Sequence, residues 1–245
     1  MALKMPYAGK LTHVDSNVLL RAMGATTFLA DPGNLEAVKA INGATDELDR
    51  AGAIGLTVSF EEIRTATSSE GLFGKLLGKK GNFYVVATVL DGSGKPFEYK
   101  TQFFQGIARG ARFPLGDGGM LVSYMQNPRW FIDIHMLVME SDSEFRQLGA
   151  AVDDARKEVK LDDVLASVAV LRTFDPTGVT RIVKAVDMFA AALAYLLKKN
   201  GDDHVATIHD FYLKPQAFGK GRHPVAGRKI FQKVEVAYKI ELTQL

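Results

Sequence analysis

The fold is decided most clearly near the end of the chain, in the stretch Lys233-Val234-Glu235-Val236-Ala237-Tyr238-Lys239-Ile240-Glu241-Leu242. Apolar residues recur there at every second position, and charged residues occupy most of the positions between them. Side chains of a β-strand point alternately to the two faces of a sheet, so this pattern is typical of a strand with one packed and one solvated face. The sequence therefore predicts a protein built from strands around an apolar interior.

Working back along the chain, further segments have the character of strands. Alternation returns at Ile54 to Glu61, whereas Phe83 to Leu90 is apolar on both faces, as in a strand at the centre of a sheet. Turn residues at Asp91 to Lys95 join the latter to a strand from Phe97 to Phe104, which predicts a hairpin. The other predicted strands are Met120 to Met125, Phe131 to Met139 and His204 to Leu213. Strands that follow one another without helices between them are expected to pair antiparallel.

The pattern changes at Ser141. Between Asp142 and Asn200 the apolar residues recur at helical spacing, and the sequence predicts three helices. The segment Asp175-Pro176-Thr177-Gly178 separates two of them, and Asn200-Gly201 ends the last. Because this block begins directly after one strand and ends directly before another, we expect it to lie at one end of the sandwich, as an enlarged loop.

The length of 245 residues is compatible with one all-β domain. We expect a single domain over residues 1–245 that is mainly β with a helical insertion. Its antiparallel β-sandwich is predicted from residues 54–140 and 203–245, with about three helices between the last strands, in residues 141–202. Residues 1–53 are predicted to add an N-terminal strand and a short helix, the helix at Leu35 to Ile41.

Composition excludes several kinds of site. The chain has no cysteine, so disulfides and cysteine-based zinc or iron–sulfur sites are ruled out. Its formal charge of +2 creates no field able to attract nucleic acid, and nucleic-acid binding is not expected. Because neither an apolar leader nor a membrane-length apolar run is present, we expect a cytoplasmic protein, with peripheral membrane attachment and signal-less export left open.

Several short motifs between residues 54 and 150 follow the order of one known family. They are Leu56-Thr57-Val58, Gly81-Asn82-Phe83-Tyr84-Val85-Val86, Tyr99-Lys100-Thr101, Asn127-Pro128-Arg129-Trp130, Leu137-Val138-Met139-Glu140-Ser141-Asp142 and Leu148-Gly149. In these motifs the chain resembles, in part, the calcium- and lipid-binding β-sandwich of the protein kinase C and synaptotagmin type. The resemblance implies an antiparallel sandwich whose loops bind calcium and anionic lipid.

Calcium is the cofactor that the resemblance implies. Glu140 and Asp142 match the family's acidic calcium loop, and Glu70 lies in the first loop, with Asp91 as a further oxygen donor. Calcium takes six to eight oxygen ligands, and these residues supply only part of that number. The alternative is that Glu140 and Asp142 cap the helix that follows them, because carboxylates are stabilised at a helix N-terminus.

Two basic segments are candidate contacts for anionic lipid or phosphate. The first is the glycine-rich segment 71–81, in which Lys75, Lys79 and Lys80 accompany apolar residues suited to insertion into a membrane surface. The second includes Arg222 and Lys229. The alternatives are that the apolar residues of the first segment cover the core and that the charges are ordinary solvated positions.

Asp133 and His135 lie on one face of a predicted strand. If the strands that flank the helical block pair antiparallel, His209 or Asp210 lies opposite them and completes a metal or acid/base cluster. The alternative is that these are ordinary polar residues on a solvated sheet face. Neither a Gly-x-Ser-x-Gly nor a His-Glu-x-x-His motif occurs, so we assign no catalytic residue.

These observations favour a non-enzymatic binding or assembly module, attached to a protein partner, to a second copy of itself or to an anionic membrane surface. The alternative is a self-assembling structural protein whose interface is formed by the helical insertion and the strand edges. A metal-dependent enzyme built around Asp133 and His135 is the third hypothesis.

Overall fold

The computed structural model describes residues 53–65, 80–93, 98–108, 110–141, 148–169, 176–199 and 201–245. The strands in these residues are β1 (Ile54–Thr65), β2 (Gly81–Asp91), β3 (Lys100–Ile107), β4 (Met120–Gln126), β5 (Phe131–Glu140), β6 (Asp203–Leu213), β7 (Gly221–His223), β8 (Lys229–Phe231) and β9 (Val234–Gln244). The helices are α1 (Leu148–Val159), α2 (Leu161–Ala169) and α3 (Pro176–Lys199), and a 3-10 helix spans Lys214–Gly219. The strand and helix predicted within residues 1–53 lie outside the described residues.

The strands form two antiparallel sheets. The first has the order β4-β1-β9-β7, with β8 also paired to β9, and the second has the order β3-β2-β5-β6. The predicted hairpin of β2 and β3 is confirmed, as is the antiparallel pairing of β5 with β6 across the three helices. The fold is therefore mainly β with a helical insertion, as the alternation of the strands and the spacing of residues 142–200 predicted.

The interior lies between the two sheets and follows from the alternation. On β9, Val234, Val236, Tyr238 and Ile240 are buried, whereas Glu241 is exposed. These side chains belong to one apolar cluster with residues of the second sheet such as Ile134. Burying one apolar face of each sheet against the other is the main source of stability in such an architecture.

The helical insertion does not lie at one end of the sandwich, and that expectation is wrong. Strands β2 and β5 are apolar on both faces, so the second sheet has an outer face that must also be covered. The three helices pack on this outer face, where Val186 and Phe189 of α3 join one apolar cluster with Tyr84 and Leu137. The protein therefore has three layers: sheet, sheet and helices.

Within the described residues, no helix combines the length and the apolar character that crossing a bilayer requires.

Candidate metal centre

Two neighbouring strands bring three ionisable side chains together beneath the helices. Asp133 and His135 are two residues apart on β5, so both point to the face that the helices cover. In the antiparallel register His135 lies directly opposite His209 of β6. The antiparallel pairing expected of these two strands is confirmed, and of the two residues left open, His209 and Asp210, it is His209 that lies across from His135.

The three side chains are in direct contact. His209 Nε2 donates a hydrogen bond of 2.6 Å to Asp133 Oδ1, and His135 Nε2 lies 3.3 Å from the same oxygen. The two imidazole rings are stacked, with their centroids 3.9 Å apart and their planes 25° from parallel. One donor atom of each residue lies within 4.8 Å of the others, a spacing suited to a single metal ion.

The cluster is buried, which contradicts the alternative of ordinary polar residues on a solvated face. The side chain of Asp133 is 0% exposed, and those of His135 and His209 are 5% and 8% exposed. Phe131 and Leu137 lie on the same face of β5 and are buried against the helices. A carboxylate in such surroundings is strongly destabilised unless it is paired, so the cluster needs a physical explanation.

Hydrogen bonding within the described residues leaves part of the cluster unsatisfied. Asp133 Oδ2 has no hydrogen-bond partner there, and the same holds for both ring nitrogens of His135 and for Nδ1 of His209, although His135 Nε2 lies 3.3 Å from Asp133 Oδ1. An unmade hydrogen bond on a buried polar group costs about 1–3 kcal/mol. Unsatisfied carboxylate and imidazole donors around one point are the chemistry expected of an ion-binding site.

A fourth ionisable residue reaches the cluster from the helical layer. Asp187 on α3 places its Oδ1 atom 3.2 Å from His209 Nδ1, and its side chain is 34% exposed. The sequence analysis did not identify this residue as part of a site. The sequence feature that could have revealed Asp187 is its position as the single carboxylate in the most apolar stretch of the chain, Ala185 to Leu197.

The charges of the cluster shift the pKa values of its members. Burial alone lowers the pKa of His209, but the charge of Asp133, its hydrogen bond and then Asp187 raise it more, to about 10. Burial alone raises the pKa of Asp133, whereas the two histidines and their hydrogen bonds lower it below its usual range. With no ion bound, Asp133 is therefore a carboxylate and His209 an imidazolium at neutral pH.

A small cavity lies beside His135 on the same face of the sheet. Its volume is about 20 Å³, and most of the residues that line it are apolar, such as Leu137, Phe189 and Leu193. This is room for about one water molecule. The cavity beside His135 is therefore too small for an organic substrate.

Asp210, the alternative partner for this cluster, points to the opposite face of the sheet. There it accepts hydrogen bonds from Tyr238 Oη at 2.8 Å and from Lys229 Nζ at 3.2 Å. Tyr212 and Tyr238 share a 2.6 Å hydrogen bond, and Tyr212 Oη lies 3.0 Å from His223 Nδ1. Burial, and then the charge of Asp210, raises the pKa of both tyrosines, so both hydroxyls are neutral. Because Tyr212 lies on β6 and Tyr238 on β9, their hydrogen bond joins the two sheets.

The acidic residues predicted to bind calcium are not brought together in the described residues. Glu140 is the last residue of β5 and is partly buried opposite Asp203, whereas Asp142 and Glu70 lie outside the described residues. Asp91 accepts hydrogen bonds from the backbone N–H groups of Ser93 and Arg129, which stabilises the turn after β2. The calcium set therefore stays a prediction.

Of the basic residues predicted to contact lipid or phosphate, the described ones lie on different sheets. Lys80 is exposed just before β2 of the second sheet, and Lys75 and Lys79 lie outside the described residues. On the first sheet, Arg222 donates to Glu61 Oε2 at 2.8 Å, and Lys229 donates to Asp210 Oδ1 at 3.2 Å. Both of these cations are therefore already paired with carboxylates.

The chain matches no protein-family model, and no curated protein matches it significantly in sequence.

Proposed function

We propose that this protein is a binding module for a divalent transition-metal ion of the zinc class, held by Asp133, His135 and His209. The observation that carries the proposal is the convergence of three buried donor atoms within 4.8 Å of one another. The ion lies between the second sheet and the helical insertion, so it links the sandwich to the helices that cover it. The sequence favoured a non-enzymatic binding module, and the proposal names a metal ion as what it binds.

The donor set favours zinc-like ions over calcium. Two imidazole nitrogens and one carboxylate oxygen suit zinc and its neighbours, whereas calcium requires six to eight oxygen ligands. His135 and His209 supply the nitrogen donors, and Asp133 the oxygen. Three protein donors leave one position of a tetrahedral ion to water.

Two donor separations can be compared with those around an ion, and binding also requires the stacked rings of His135 and His209 to turn until both Nε2 atoms point at it. A tetrahedral zinc ion with bonds of about 2.0–2.1 Å holds neighbouring donor atoms about 3.3 Å apart. His135 Nε2 and Asp133 Oδ1 already have this separation, at 3.3 Å. His209 Nε2 and Asp133 Oδ1 are 2.6 Å apart because a hydrogen bond joins them. Replacing the proton of that bond by an ion increases the separation of the two atoms by about 0.7 Å.

The test is thermal melting of the full chain with zinc, with calcium and with a chelator. Zinc at 100 times its dissociation constant adds about 2.7 kcal/mol of stability. For a domain of this size that raises the melting temperature by about 5–11 °C. With calcium at the same concentration, the melting temperature is expected to equal that measured with the chelator.

Variants locate the site. His135→Gln and His209→Gln are each expected to remove the zinc-induced rise, whereas His204→Gln is expected to keep it, because His204 contacts Thr207 outside the cluster. Binding of cobalt, followed by its visible absorption, reports on donor geometry in the unmutated protein. An identical zinc response in all three variants, or none in the unmutated protein, would sink the proposal.

A further inference from the structure

In the described residues, the helical insertion brings the carboxylate of Asp187 to the metal centre. Asp187 Oδ1 lies 3.2 Å from Nδ1 of His209, the ring nitrogen that does not face Asp133. A metal-ligating histidine usually donates its other ring N–H to a carboxylate, carbonyl or water, which fixes its tautomer and its orientation. When an ion replaces the proton on Nε2, the proton that His209 keeps on Nδ1 faces Asp187.

Apolar side chains of α3 also pack on the sheet. Val186 and Phe189, on either side of Asp187 in the sequence, are buried in the cluster between the helices and the second sheet. Seating these side chains on the sheet is what brings the Asp187 carboxylate to His209. The position of Asp187 therefore depends on the packing of the whole helix.

We propose that Asp187 is the positioning residue of the metal site, and that through it metal binding and the packing of α3 on the second sheet stabilise each other. This inference rests on the metal-binding function proposed above. The ion binds more tightly when His209 is held by a seated helix. Because coupling between two equilibria is reciprocal, the bound ion must in turn hold the helix on the sheet.

Substitution of Asp187 tests the positioning role. Zinc affinity is measured by competition with a chromophoric chelator for the unmutated chain and for Asp187→Ala, Asp187→Asn and Asp187→Glu. Loss of an outer carboxylate partner weakens metal binding by about 10–100-fold, and we expect this for Asp187→Ala. Asp187→Asn keeps an oxygen acceptor and is expected to lose less, and Asp187→Glu restores part of the affinity.

Two further measurements separate positioning from general damage. The absorption spectrum of bound cobalt is expected to change in Asp187→Ala, because the imidazole of His209 is no longer oriented. Lys184→Ala, one turn earlier on the exposed side of α3, is the matched control and should bind zinc as the unmutated chain does. Zinc is also expected to slow amide hydrogen exchange in α3, and to do so less in Asp187→Ala.

The outcomes distinguish this inference from the proposed function. If the unmutated chain binds zinc, but Asp187→Ala binds it within twofold and with an unchanged cobalt spectrum, the positioning role is wrong and the metal site stands. If the unmutated chain binds no zinc, both fall together. Tighter zinc binding in Asp187→Ala would also overturn the inference, because it would mean that the seated helix opposes the ion.

Discussion

Replacement of Asp133 by asparagine should destabilise the metal-free protein at neutral pH, by an amount that decreases as the pH rises. The carboxylate is fully buried and holds the pKa of His209 at about 10, against an ordinary value of 6.5. Asparagine keeps the size of the side chain and an oxygen acceptor but removes the charge. His209 then loses the partner that holds its proton.

The magnitude follows from the proton on His209. Its raised pKa contributes stability that is fully present below about pH 6.5 and is lost as the pH rises through about 10. At about 1.4 kcal/mol per unit, the difference between a pKa of about 10 and pH 7 corresponds to at most about 4 kcal/mol, because Asp187 supplies part of the raised pKa and stays in the variant. This agrees with the range of about 3–5 kcal/mol for breaking a buried ion pair. At pH 9 the same calculation leaves only about 1–2 kcal/mol.

The assay is urea unfolding of Asp133→Asn and of the unmutated chain at pH 7, 8 and 9, with a chelator present throughout. Other titrating groups contribute equally to both proteins, so they cancel in the difference. Asp153→Asn, at an exposed position of α1, is the control and should change stability by less than about 0.5 kcal/mol. A loss below about 1 kcal/mol at pH 7, or the same loss at pH 7 and pH 9, would refute the charge pairing of Asp133 with His209.

Two other predictions concern different parts of the molecule. Tyr238→Phe removes hydrogen bonds of 2.8 Å to Asp210 and 2.6 Å to Tyr212 between the sheets, and it should lower the free energy of unfolding by about 1–3 kcal/mol. Urea unfolding measures this, and unchanged stability would show that the hydroxyl network does not join the sheets. The basic segment 75–80 predicts co-sedimentation with anionic liposomes at low salt, weakened when its lysines are neutralised. If the chain never co-sediments, or if the neutralised variant co-sediments equally well, the lipid role is lost.

Local pattern was sufficient for the long elements in the described residues, whereas the short strands β7 and β8 and the 3-10 helix were not predicted. Alternation at Val234 to Leu242 predicted β9, and helical spacing between Asp142 and Asn200 predicted the three helices. Both patterns arise from the geometry of the chain itself, because side chains repeat every two residues in a strand and every 3.6 in a helix. The doubly apolar strand at Phe83 to Leu90 was placed correctly within a sheet, between β3 and β5.

The same sequence did not show where the helices pack. The strand from Phe131 to Met139 is apolar on both faces apart from Asp133 and His135, and those two polar residues suggested a solvated face. In the structure α3 covers that face and buries both. Which surface covers a strand depends on contacts between residues distant in sequence, and period alone does not determine them.

The sequence by itself determined the types of the elements, their order and the candidate pair Asp133 and His135. Only the tertiary structure decided that His209, and not Asp210, completes the cluster, because a shift of one residue in the β5 and β6 register would turn the opposite face of β6 toward the helices. The helical layer then added Asp187 and buried the other three side chains. A metal centre requires donors converging on one point, and that convergence arises from the register of the two strands together with the packing of a helix on them.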